Sequence, residues 1–311
     1  MLRRIQIGLT AVIVLSFIAL AIEASDNFTV NYGTNQTITA HTECRTVTND
    51  SAAGASVYVP TQTSAEWQSF YTNPPAGVTA SSCVTPGSQT FSSPGTYTFT
   101  VPAYNTLTVQ AWGGGGGGVG SKDGNAVNRS VAYAGSSGGA SQWDGGTGSG
   151  NPQANGGTRG AALDVTVSGS GGGAGGTGQN CSSASTGQAG GNQIYRYGAS
   201  QSNPPSGKGG NGASGGAGGA SVTGQAANGR AGAAPGGGGS GSTNYFYRRG
   251  QSPRTGFPGG GGGGYCARTY SAGTYAPGES VTIVVGAGGA GGNSTRDGGS
   301  GGAGRVIVTW N

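Results

Sequence analysis

Short stretches of alternating apolar and polar residues bracket a long region in which alternation almost vanishes. Thr96-Tyr-Thr-Phe-Thr-Val101 and Leu107-Thr-Val-Gln-Ala-Trp112 both carry the period of two that marks a half-buried strand. The first places Tyr97, Phe99 and Val101 on one face; the second does so for Leu107, Val109 and Ala111. With Pro102-Ala-Tyr-Asn105 as the turn, residues 89–112 are expected to form a hairpin. Leu163–Val167, Ser280–Val285 and Val306–Trp310 predict further strands.

Nearer the N-terminus, Asn27-Phe-Thr-Val30 and Ser56-Val-Tyr-Val59 alternate in the same way. Thr63-Ser-Ala-Glu66 has the spacing of a capping box and predicts a short helix through Trp67 and Phe70, stopped by Asn73-Pro-Pro. Trp67 and Phe70 then share one side and are read as core. Residues 25–88 thus form a small α+β region, and residues 89–311 a second domain.

That second domain is dominated by glycine. Sixty-five of the 71 glycines lie between Gly113 and Gly304. They gather in seven tracts, 113–118, 169–178, 207–219, 236–241, 259–264, 286–292 and 298–304, with no fixed spacing between them. Collagen would need a strict three-residue period and abundant proline. A flexible linker would not be interrupted by Tyr, Trp, Cys and Val. Large apolar side chains after residue 112 are too few for an ordinary core, and ordering glycine costs more backbone entropy than ordering any other residue. Either the block is disordered, or backbone packing replaces the core. Glycine chains can adopt an extended threefold helix like polyproline II and pack with their backbones in contact. The fold class expected is therefore mainly β and irregular, short strands framing packed polyglycine II helices.

Arg3 and Arg4, the apolar run Ile7–Ala21 and small residues up to Ala24 read as a signal peptide over residues 1–24. The alternative is a retained membrane anchor over Ile5–Ile22, at the short limit for a span. Cys44, Cys83, Cys181 and Cys266 make an even count, which in an exported chain favours disulfides. Four cysteines allow three pairings; the preferred one is Cys44–Cys83 and Cys181–Cys266. A net charge of +5 without a long basic run gives no case for a nucleic-acid partner.

Motifs for catalysis or cofactors are weak. Val281–Val285 followed by Gly286-Ala-Gly-Gly-Ala-Gly291 has dinucleotide-site spacing, but no helix can open in Gly292-Asn-Ser-Thr-Arg-Asp-Gly-Gly. Gly207-Lys208 is followed by glycine, not Ser or Thr, so it is no phosphate loop. His41 is the sole histidine, and no C-x-x-C pair suggests zinc. No catalytic residue, metal or cofactor is assigned. The segments between tracts combine tyrosine with arginine, as binding loops do: Tyr133, Tyr195, Arg196, Tyr197, Tyr245, Phe246, Tyr247, Arg248, Arg249 and Tyr270 are the candidate ligand contacts. The alternative is that these aromatics cap the tracts as their scarce core.

Three anchors carry a family resemblance. They are Thr90–Pro102 with Leu107–Gly118, Ala276–Gly292, and Gly301–Trp310. Over about residues 89–311 the chain resembles the glycine-rich domains of phage tail-fibre tip adhesins and bacterial surface proteins. The resemblance implies a sandwich of polyglycine II helices whose loops, here around Tyr195–Tyr197 and Tyr245–Arg249, touch receptors on bacterial outer membranes. The signal sequence and the cysteine-containing N-terminal region depart from a virion tip. The expectation is an exported, non-enzymatic adhesin-like protein, secreted or held at the cell surface, that binds a cell-surface glycan or outer-membrane protein. The alternatives are a purely structural envelope or matrix protein, or a phage receptor-binding protein.

Overall fold

The alternating segments form strands, and their apolar faces decide how the strands stack. The computed structural model describes residues 27–40, 43–60, 73–82, 85–122, 131–144, 150–162, 169, 171–196, 203–224, 226–245 and 254–311. In the N-terminal region these include β1 (Asn27–Asn31), β2 (Thr34–Ala40), β3 (Glu43–Asn49), β4 (Ser56–Pro60) and β5 (Val78–Ser82). β1 pairs with β4, and β2-β3-β5 form a three-stranded antiparallel sheet. Val47 and Val78 are buried there. The signal segment 1–24, the helix expected through Trp67 and Phe70, Cys83 and the strand expected over Leu163–Val167 fall outside the described residues. The register of β3 on β5 is described as far as Arg45 opposite Ser82, one residue short of Cys44.

The second domain begins with β6 (Gly87–Phe91), β7 (Gly95–Thr100) and β8 (Thr106–Trp112). It continues through β9 (Gly120–Lys122), β10 (Val131–Tyr133), β11 (Ser141–Trp143), β12 (Gln153–Ala154), β13 (Gly178–Gln179) and β14 (Ser183–Ser185). Last come β15 (Ile194–Arg196), β16 (Thr243–Tyr245), β17 (Arg254–Gly256), β18 (Tyr265–Ser271), β19 (Ser280–Val285) and β20 (Arg305–Trp310). Every named strand pair is antiparallel, and no helix occurs among the described residues.

Two five-stranded sheets, β13-β12-β11-β19-β7 and β14-β18-β8-β20-β6, enclose one apolar core. The hairpin expected over 89–112 does not form. β7 pairs with β19 and β8 pairs with β18 and β20, so the two strands sit in different sheets. The reason lies in their apolar faces. Phe99 and Val101 on the β7 side, and Leu107, Val109 and Ala111 on β8, are all buried in the same core. Pairing edge to edge would leave that shared face wet, whereas packing face to face covers it. Each large apolar side chain so buried contributes roughly 1.5–3 kcal/mol. The segment around Pro102–Asn105 carries the chain from one sheet to the other.

Trp143 is fully buried at the centre of this core, and its indole N–H donates to the Tyr275 hydroxyl at 2.9 Å. The Tyr275 backbone N–H donates to Tyr104 Oη at 2.8 Å, and Tyr104 Oη donates back to the Tyr275 carbonyl at 3.3 Å. These bonds meet the need of buried polar groups for partners. Cys181 and Cys266 form a disulfide that ties the segment between β13 and β14 to β18, and among the described residues no cysteine is free.

Beyond the sandwich the glycine tracts continue the strands without pairing as sheets. Ser141 sits at the transition: its hydroxyl donates to the Trp112 carbonyl at 2.7 Å and accepts from Gly286 N–H at 3.0 Å. Past that point the hydrogen bonds rotate. Gly113, Gly116 and Val119 donate to Gly264, Gly261 and Pro258. Gly114 and Gly117 donate to Gly139 and Ser136, while Gly115 and Gly118 donate to Gly302 and Gly299. The carbonyls rotate too: Gly114 and Gly117 accept from Gly157 and Gly160, Gly115 and Gly118 from Gly289 and Gly292, and Gly116 and Val119 from Gly239 and Ser242. Tract 113–119 thus donates to three neighbours and accepts from three others, six in all.

Tracts 236–242 and 258–264 are surrounded in the same way, and all three are buried along their length. No Cβ fits at Gly115 or Gly260: one added at Gly115 would collide with the Gly237 carbonyl, and one at Gly260 with the Gly116 carbonyl. The outer tracts show a Gly-Gly-X triplet whose third residue points to solvent. Ala287, Ala290 and Asn293 are exposed on one outer tract, and Ala174 and Thr177 on another.

This packing sets the cost of adding a side chain. Gly115→Ala should destabilise the domain by at least about 3 kcal/mol in urea unfolding, since backbone on every side leaves no room to relax; Ala290→Ser should stay within about 0.5 kcal/mol. Equal midpoints for the two variants would refute the backbone-packed core. The sandwich core carries its own prediction. Burial holds the Tyr104 and Tyr270 phenols above their usual range, with the neighbouring Tyr275 adding to the effect on Tyr270. The unfolded chain then ionises first. Stability from these groups is full below about pH 10, the ordinary tyrosine value, and falls as pH rises beyond it. An ultraviolet phenolate titration should show a fraction of the tyrosines lagging until the domain unfolds.

Candidate functional site

The tracts run from the sandwich to a second set of short strands. Tract 113–119 leaves β8 and ends in β9, and tract 258–264 runs from β17 back into β18. At this far end, Val119 and Phe257 are fully buried against each other, with Ala132 and Tyr195 packed on them. Ser121 Oγ and Ser242 Oγ lie 3.1 Å apart, and Asn244 Nδ2 donates to the Lys122 carbonyl at 3.1 Å. A β-bridge joins Ser121 to Arg296. Val119, Ala132, Tyr195 and Phe257, from four separate strands or tract ends, therefore converge on one small apolar plug.

Two sheets form the far end. β9 pairs with β10, and β15-β17-β16 make a three-stranded sheet. In that sheet Tyr195, Thr255 and Asn244 are register partners across the three strands, and so are Arg196, Arg254 and Tyr245. Thr255 and Asn244 are buried, and Tyr195 packs on the Val119–Phe257 plug. Alternation then turns the next row to the opposite face. Arg196 and Arg254, both half-buried, are adjacent on that outer face.

The structure brings most of the described candidate contacts to this end. Tyr133 closes β10 and is 37 % exposed, and Val131, two residues earlier on the same strand face, is 50 % exposed. Tyr195 and Arg196 lie on β15, one turned inward and one outward, and Tyr245 ends β16. Tyr197, Phe246, Tyr247, Arg248 and Arg249 fall outside the described residues; in sequence they directly follow β15 and β16. Tyr270 is not with them. It lies on β18 in the sandwich core, buried beside Trp143 and Tyr275, with ring centroids 6.4 and 5.1 Å away. The segment around it, expected as a loop, is a seven-residue strand.

Arg254 and Lys122 belong to this end and were not singled out by the sequence. Ser252-Pro-Arg-Thr-Gly256 is too short and too close to glycine to show alternation, so only the register reveals Arg254 beside Arg196. The dinucleotide-like run Gly286–Gly291 is one more hydrogen-bonded tract, with Gly289 donating to Gly115 and Gly292 to Gly118. Among the described residues there is no group of three or more His, Cys, Asp or Glu that could hold a metal ion, and no helix long and apolar enough to cross a membrane. No protein family, no curated protein and no solved structure matches the chain.

Proposed function

We propose that this chain is an exported, non-enzymatic binding protein that uses the end of the glycine domain opposite the sandwich to contact a glycan or protein on a cell surface. The observation that carries this reading is the collection of Tyr133, Tyr195, Arg196 and Tyr245 at one end of a backbone-packed core. Segments 123–130, 197–202 and 246–253 start or finish at strands of that same end. Binding residues held on a rigid scaffold lose little entropy on engagement. Tyrosine offers broad contact area with few rotatable bonds, and arginine adds directional hydrogen bonds.

The tracts are read as polyglycine II helices. Support comes from hydrogen bonds that step to a new neighbour at each residue and return every third, the period of the polyproline II conformation. That geometry also supports kinship with the glycine-rich adhesin domains. Export is supported by the basic and apolar N-terminal segment together with the Cys181–Cys266 disulfide, which an oxidising compartment favours. The N-terminal region is read as a small α+β module carrying a Cys44–Cys83 bridge.

Two measurements test this. Secreted protein should bind intact bacterial cells, and the triple variant Tyr133→Ala, Tyr247→Ala, Arg248→Ala should bind at least about tenfold more weakly. Lys208→Ala, on an exposed flank, should bind as the parent does. Undiminished binding by a folded triple variant would sink the loop assignment. Peptide mapping of unreduced protein should recover Cys44 joined to Cys83; a Cys44–Cys181 peptide would overturn the pairing.

A further inference from the structure

We infer that the paired arginines Arg196 and Arg254 form an anion-binding row, and that the surface ligand is a saccharide bearing carboxylate or phosphate groups. The inference rests on the binding function proposed above and narrows its ligand. Its first support is register: Arg196 and Arg254 are direct partners on antiparallel β15 and β17. Directly paired side chains project from the same face with Cβ atoms roughly 5 Å apart. Two planar guanidinium forks at that spacing can take the oxygens of one anionic group, or of successive groups on a polymer. Both side chains are half-buried, which strengthens their field relative to fully solvated charges.

A second support is the charge distribution. Residues 89–311 carry twelve basic side chains against five acidic ones, although the whole chain is only +5. Lys122, Arg196, Arg254 and Arg296 are placed at or beside the far-end strands, with Asp297 the acidic residue described nearby. Arg129, Arg248 and Arg249, together with the acidic Asp123, lie in segments that adjoin β9, β10 and β16 in sequence. A positive excess over residues 89–311 raises the encounter rate with a polyanion. Tyr133, exposed on the neighbouring ribbon, offers a ring face for the apolar side of a sugar.

The test uses the full-length protein on immobilised polygalacturonate, poly(glycerol phosphate) and neutral dextran. Retention on at least one anionic polymer, not on dextran, is expected, and it should weaken as salt is raised from about 0.05 to about 0.5 M. Response to polygalacturonate alone assigns a carboxylate ligand, and response to poly(glycerol phosphate) alone assigns a phosphate. The double variant Arg196→Gln, Arg254→Gln should lose about tenfold or more in affinity, while Arg230→Gln on an exposed flank should match the parent. If the double variant does not fold, Arg196→Lys with Arg254→Lys keeps the charge and removes the forks, and should still bind more weakly. Equal binding to dextran, binding to neither anionic polymer, or parental affinity in a folded arginine variant overturns the inference. Cell binding that persists while both anionic polymers fail would remove this ligand class and leave the broader binding function standing. Loss of cell binding by the parent protein would remove that function itself.

Discussion

Everything in the second domain depends on how closely glycine backbones can approach one another. Around tract 113–118, carbonyl oxygens of three neighbouring tracts, at Asn155 and Thr158, Ala287 and Ala290, and Gly237 and Ser240, occupy the space where side chains would stand. The result is a core without side chains, in which each residue hydrogen-bonds in a different direction from the one before. A β-sheet uses two directions and leaves its faces to side-chain packing. Tract 113–119 uses six, and so buries chain on all sides without relying on apolar residues. Glycine's large entropy loss is offset by satisfying every direction at once.

Such a core needs a frame that sets where each tract begins. The sandwich provides it through ordinary hydrophobic packing. Strands β8, β18, β19 and β20 each run directly into or out of a glycine tract, so the sheet register fixes the tract register. Ser141, bridging the Trp112 carbonyl and the Gly286 N–H, marks the layer where one bonding scheme gives way to the other. At the opposite end the plug of Val119 and Phe257 closes the tracts and turns side chains outward again. Among the described residues the large buried side chains thus gather at the two ends, in the sandwich and in the plug, while the outer tracts carry single exposed side chains such as Lys208, Arg230 and Asn293.

Much of this was legible in the residues. The alternation in Thr96–Val101, Leu107–Trp112, Ser280–Val285 and Val306–Trp310 identified strands correctly, along with the faces that Phe99, Leu107 and Val109 bury. The scarcity of large apolar groups pointed to backbone packing. Pairing was not legible, because alternation names a buried face without naming its partner; hence the supposed hairpin of β7 and β8 became two facing sheets. The three-residue rotation was hidden for a related reason. In the inner tracts nearly every residue is glycine, so no phase shows. Only the outer tracts, such as Gly286-Ala-Gly-Gly-Ala-Gly-Gly-Asn293, print the period through their solvent-facing residue. Tyr270 looked like a recognition residue because strand β18 mixes Tyr, Arg and Thr, and its burial follows from its place between β14 and β8.

The six neighbours of tract 113–119 are drawn from positions between Ser136, shortly after β10, and Gly302, shortly before β20. Tract 113–119 therefore cannot close all of its bonds until Gly302 has been made. Until then its backbone N–H and C=O groups must bond to water instead. Long-range topologies are ordinarily slow to fold and exposed to aggregation while they wait. Here the wait is set by sequence separation: a chain cut short before Gly298 would leave the N–H groups of Gly115 and Gly118 without the carbonyls of Gly302 and Gly299.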